Sequence, residues 1–131
     1  MSGWIGVDLD GTLAKYDTWR GELNIGEPIP AMVARVKDWL QNGMTVKIVT
    51  ARVSTGSGDR ANSTIDQIRG AIADWTERHI GSRLETVCCK DFAMIELWDD
   101  RAVQVVSNSG QTIAEFYGIN QAEVIASKLL K

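Results

Sequence analysis

The chain is poor in cysteine and histidine: of 131 residues, two are cysteine and one is histidine. Cys88 and Cys89 are adjacent. Disulfide geometry sets narrow limits on how such neighbours approach, so a disulfide framework is excluded. Two free thiols fit a reducing compartment. The longest apolar runs fall far short of the ~18 residues that a membrane-spanning helix needs. No positively charged, then apolar, signal-type segment opens the sequence. Repeats and low-complexity segments are also lacking. A strong charge of one sign is missing too: the net charge is −3, which argues against extended contact with nucleic-acid backbones. These absences lead us to expect a soluble, cytoplasmic protein without a membrane partner.

What is present is globular. Hydrophobic residues make up 44% and charged residues 24%, near the norm for folded domains. The length predicts one domain, residues 1–131, with no room for a second elaborate one. Short apolar runs alternate with amphipathic stretches. Trp4–Leu9, Thr45–Val49, Leu84–Cys89, Met94–Trp98 and Ala102–Val106 are expected strands. Pro30–Gln41 carries apolar residues at helical spacing and stops at Asn42-Gly43. Ile65, Ile68, Ile72, Trp75 and His79 form a second stripe that Gly81 closes. Asn120 is placed to cap a last helix. Strands alternating with helices imply crossovers and a mainly parallel sheet. We therefore expect an α/β fold of three-layer α/β/α, Rossmann-like type. Open sheets of this kind bind ligands outside the carboxyl ends of their strands.

Polar clusters sit at those ends. Strand one runs into Asp8-Leu9-Asp10-Gly11-Thr12, strand two into Thr50-Ala51-Arg52, and strand four into Asp99-Asp100-Arg101; Lys90 follows strand three. A parallel sheet would gather them on one edge. Four carboxylates close together repel unless a cation compensates, and hard carboxylate oxygens suit Mg²⁺ with substrate phosphate. Thr50 and Lys90 suit phosphate oxygens. Backbone N–H groups at Gly11 and Thr12 can face an anion. One carboxylate can act as a nucleophile through an aspartyl-phosphate, and a second two residues on can act as acid and base. An EF-hand calcium loop also begins Asp-x-Asp, but the twelfth position counted from Asp8 is Trp19, not glutamate.

The ordered set resembles the haloacid dehalogenase-like (HAD) superfamily of phosphohydrolases. The family's Asp-x-Asp-Gly-Thr motif is matched by Asp8 to Thr12, its strand-two Ser/Thr by Thr50, its lysine by Lys90, and its acidic pair by Asp99-Asp100. The resemblance implies a Mg²⁺-dependent phosphatase that hydrolyses a phosphomonoester through an intermediate on Asp8. Asp10 would be the general acid/base and would give the metal its backbone carbonyl. Thr50 and Lys90 would hold the phosphoryl group, and Asp8, Asp99 and Asp100 would be candidate metal ligands. Which of Asp99 and Asp100 ligates directly stays open.

Between Leu13 and Thr50 lie 36 residues, and between Arg52 and Lys90 lie 37. One helix and one strand consume most of each gap, so the chain resembles a capless member. The segment from Ala14 to Pro28 has room only for a small flap. Trp19 in that flap, and Arg52 in the loop after strand two, are candidate substrate contacts. Thr50-Ala51-Arg52 with Asp99-Asp100-Arg101 also resembles the phosphatase part of polynucleotide kinase-type enzymes, which would make the substrate a nucleotide or nucleic-acid end. The alternative from another class is a non-catalytic domain of the same fold that binds a metal or a partner. A homo-oligomer stays open. His79 lies on the apolar stripe near a helix end, where packing is the expected role.

Overall fold

The computed structural model describes residues 2–55, 63–118, 125–126 and 128–129. Its contacts divide the chain into two compact units, Met1–Asp99 and Asp100–Lys131, where the length alone points to one domain.

In the first unit, β1 (Trp4–Asp8), β2 (Thr45–Val49), β3 (Thr86–Val87) and β4 (Met94–Trp98) form one sheet in the order β3-β2-β1-β4. Every pairing is parallel. The expected Rossmann-like α/β fold is thus present. Parallel neighbours need crossovers, and two helices provide them: α1 (Pro30–Gln41) and α2 (Ile65–Ile80). The helices touch one another, so they form one layer on one face of the sheet. Their apolar stripes bury Met32, Val33, Val36, Ile68, Ile72 and Trp75 against Ile5, Val7, Val46 and Ile48.

Local chemistry sets the helix ends. α1 has no side-chain cap, but Pro30 stands at its first position, where a fixed φ suits the helix and a missing N–H costs nothing. α2 opens with a capping box: Thr64 accepts from the Gln67 N–H at 3.1 Å, and the Gln67 side chain accepts from the Thr64 N–H at 2.9 Å. It ends at Gly81, whose φ of 97° lies in the left-handed region. His79, in the last turn of α2, packs on Trp75 with ring centroids 4.7 Å apart.

Two expected strands change. Leu84–Cys89 pairs with β2 only over Thr86–Val87. An edge strand keeps only the pairing its single neighbour supplies, and β2 ends at Val49. Ala102–Val106 is no strand. Val105 instead makes an isolated antiparallel bridge to Thr112. The intervening turn, rich in Ser, Asn and Gly, folds the chain back on itself, with Asn108 at φ 63°. In this second unit, Thr112 caps a short helix the periodicity does not reveal, α3 (Ile113–Tyr117), accepting from the Glu115 N–H at 3.0 Å. The expected cap Asn120 lies outside the described residues.

Candidate functional site at the carboxyl end of the sheet

Register brings the first unit's polar strand ends together. Asp8 pairs with Val49, so Thr50 comes one residue beyond it on the next strand. Val7 pairs with Trp98, so Asp99 follows beside Asp8. A carboxylate oxygen of Asp8 and one of Asp99 lie within 4.8 Å of each other, and both residues are half-buried. Thr12 Oγ1 donates to Asp8 Oδ2 at 3.3 Å. Asp100, also half-buried, is the next residue and opens the second unit. Hard oxygen donors at this spacing are the donor type that Mg²⁺ takes, so the carboxylate pair fits the expected ion.

Thr50 is buried. Its hydroxyl oxygen accepts from the Arg52 N–H at 3.2 Å, which starts the short 3₁₀ turn Ala51–Val53. The hydroxyl's own proton remains to donate.

Gly11 and Thr12 differ from the expectation. The Gly11 N–H donates to the Ala14 carbonyl at 2.8 Å, and the Thr12 N–H reaches the Leu9 carbonyl at 3.4 Å. The turn after β1 thus spends the Gly11 N–H on its own closure. Only the long Thr12 bond is one a bound anion could readily displace.

Lys90 is not joined to the carboxylates. β4 runs parallel to β3, so their connection must return from the carboxyl edge to the amino edge. Ala93 has already reached that edge, where its carbonyl accepts from the Trp4 N–H at 3.0 Å. Lys90 lies on this descent, exposed, with no hydrogen bond or ion pair to another described residue. Its neighbour Asp91 accepts from the Trp4 indole at 2.8 Å and from the Ala93 N–H at 2.9 Å. Those bonds, the indole's first, hold the Asp91 carboxyl below its usual range.

Arg52 is a cation that does enter the site. As a candidate substrate contact it would need free N–H groups, and it has none. Nε and one Nη donate to the two oxygens of Asp10, both at 2.8 Å. The other donors reach the carbonyls of Gly21 at 3.1 Å, Glu22 at 2.8 Å and Asn24 at 3.0 Å. A guanidinium has five N–H donors, and all five are used. Its Cζ lies over the ring of Trp19, 4.8 Å from the centroid, and Trp19 is 50% exposed. The Arg52 side chain is 4% exposed and that of Asp10 20%. Sequence reasoning missed this hub. The Thr-Ala-Arg string showed a cation at a strand end, but nothing local showed that three flap carbonyls would meet it.

The base of the flap is fixed as well. Lys15 N–H donates to the Glu27 carbonyl at 2.8 Å, and Ile29 N–H to the Leu13 carbonyl at 2.8 Å. The Trp75 indole donates to the Gly26 carbonyl at 3.1 Å. A Cβ at Gly26 would collide with the Lys15 carbonyl oxygen, so this close approach requires glycine.

No family model and no curated protein matches the chain. Among solved structures, it is similar to a conserved protein from Bacteroides thetaiotaomicron, with 21% sequence identity and a TM-score of 0.51 over 98% of this chain and 93% of that one. That likeness concerns the fold. No described helix is long and apolar enough to cross a membrane.

Proposed function

We propose that the protein is a Mg²⁺-dependent phosphomonoester hydrolase of the haloacid dehalogenase-like kind, working through an aspartyl-phosphate on Asp8. The observation that carries this is the convergence of the Asp8 and Asp99 carboxylates within 4.8 Å at the carboxyl end of a parallel sheet, with the motif order of the sequence around them. Asp8 and Asp99 would hold the ion, with the Asp10 carbonyl, and Asp100 is a further candidate. When bound, Mg²⁺ would offset the negative charge of the carboxylates and of the phosphoryl oxygens.

The chain's own residues then divide the work. An Asp8 oxygen attacks phosphorus in line as the bond from phosphorus to the ester oxygen breaks. Asp10 gives its proton to that leaving oxygen. Thr50 donates a hydrogen bond from its hydroxyl to a phosphoryl oxygen and keeps its proton throughout. A water then attacks phosphorus and passes a proton to Asp10, so phosphate leaves and both aspartates return to their starting states. Two lone-pair sites per carboxylate oxygen leave Asp10 acceptor capacity beside Arg52. Lys90 has no step here, because its loop runs away from the carboxylates. The substrate is an organic phosphomonoester.

The test is a panel of phosphomonoesters assayed with Mg²⁺ and with EDTA, for wild type and Asp8→Asn. Turnover only by wild type and only with Mg²⁺ is expected. Turnover by Asp8→Asn would refute the covalent route.

A further inference from the structure

Arg52 touches two things that nothing else described connects: the carboxylate of Asp10 and the tip of the flap. We propose that Arg52 is a positioning residue that couples the two, so that flap closure and the orientation of the acid/base aspartate are one event; the catalytic half of this rests on the function proposed above.

Three observations carry it. The fork on Asp10 is bidentate, with both bonds 2.8 Å, and such a fork fixes the carboxylate plane as well as its distance. The same rigid guanidinium takes the carbonyls of Gly21, Glu22 and Asn24, so it cannot leave one set without straining the other. Arg52 Cζ lies over the Trp19 ring, 4.8 Å from its centroid, which adds a flap side chain to the carbonyl contacts. Inside the flap tip, Asn24 Nδ2 donates to the Arg20 carbonyl at 2.6 Å and the Asn24 N–H to the Gly21 carbonyl at 3.2 Å. The tip is therefore a small closed loop that presents the Gly21, Glu22 and Asn24 carbonyls together. A lysine cannot replace this arrangement, because a point charge on a flexible stem has no fork.

The consequence is non-local. Asp10 has no side-chain bond to the flap, yet replacing one acceptor oxygen of its fork by an amide nitrogen should release the flap. Limited trypsin digestion of the intact protein, followed by mass spectrometry of the Arg20–Gly21 bond, reads this directly. Cleavage of a transiently opened segment tracks the population of the open form. Asp10→Asn keeps Arg52 and serves even where a change at Arg52 impairs folding. Cleavage is expected about tenfold faster in Asp10→Asn and faster still in Arg52→Lys, with Asp8→Asn at the wild-type rate. Wild-type cleavage in Asp10→Asn would overturn the coupling, whatever Arg52→Lys does. In turnover, Arg52→Lys should lower kcat at least tenfold with KM within about twofold; an unchanged kcat would overturn the positioning role. Should wild type turn over no phosphomonoester, the functional assignment fails, while the cleavage rates still decide the coupling.

Discussion

Asp8 and Asp99 repel one another, and that cost can be worked out. At the widest separation, 4.8 Å, two unit charges interact by about 0.9 kcal/mol at the dielectric of water and about 3.5 kcal/mol at an effective value of 20. Both groups are half-buried, which favours the lower end, about 1 kcal/mol. Asp99→Asn keeps the shape and one oxygen acceptor but removes the charge. In EDTA the Asp8–Asp99 coupling, read from a double-mutant cycle with Asp8→Asn, should therefore be unfavourable by about 1 kcal/mol, or about 4 °C in Tm for a chain of this size. In Mg²⁺ the coupling should change sign. A ligand at ten times its Kd stabilises the folded state by about 1.4 kcal/mol, and only wild type should gain it in full. Thermal melts of wild type, the two single variants and the double variant, in EDTA and in Mg²⁺, give the coupling in each condition. High salt supplies a control, since a Debye length of about 3 Å at 1 M should shrink the coupling in EDTA. A favourable coupling in EDTA, or an equal Mg²⁺ gain in all four proteins, would refute the reasoning.

Two further predictions concern the scaffold. Thr64→Ala removes the hydroxyl that accepts from the Gln67 N–H and should cost about 1 kcal/mol in urea denaturation; a loss below the error of the fit would mean that the capping box adds nothing to α2. Asp91 is held below the usual carboxylate range, chiefly by the Trp4 indole. Its contribution to stability is thus full above the ordinary carboxylate pKa of about 3.9 and is lost as pH falls through the lowered folded value. Asp91→Asn should flatten that acid limb in denaturation curves taken at pH 3, 4 and 6, and parallel limbs in the two proteins would count against the bond.

Much of the fold was legible because its signals are local. The bounds of α1 follow from Pro30, the apolar spacing and Asn42-Gly43. Gly81 was readable as the end of α2 because only a residue free to take positive φ closes a helix in that way. β2 announced itself through its β-branched residues. The Leu84–Cys89 run was legible as strand-like but not in its extent, since an edge strand is as long as its partner allows. Ala102–Val106 has a strand's composition, yet the turn after it pairs Val105 with Thr112 instead. Lys90 was legible as the residue after the third expected strand, and the descent of its loop appears only once β4 is known to be parallel to β3.

The sequence by itself determined the chemistry on offer: carboxylates, a threonine and an arginine at successive strand ends, and little length beyond the helices and strands that carry them. It determined this because strand and helix periods, caps and turn residues act over a few residues. Only the tertiary structure decided which of those groups meet. Parallel register set Asp99 beside Asp8, and the return of the β3–β4 connection carried Lys90 away from them. Burial then turned Arg52 inward, because a guanidinium removed from water must satisfy all its donors, and the Asp10 carboxylate with three flap carbonyls was the set that could do so.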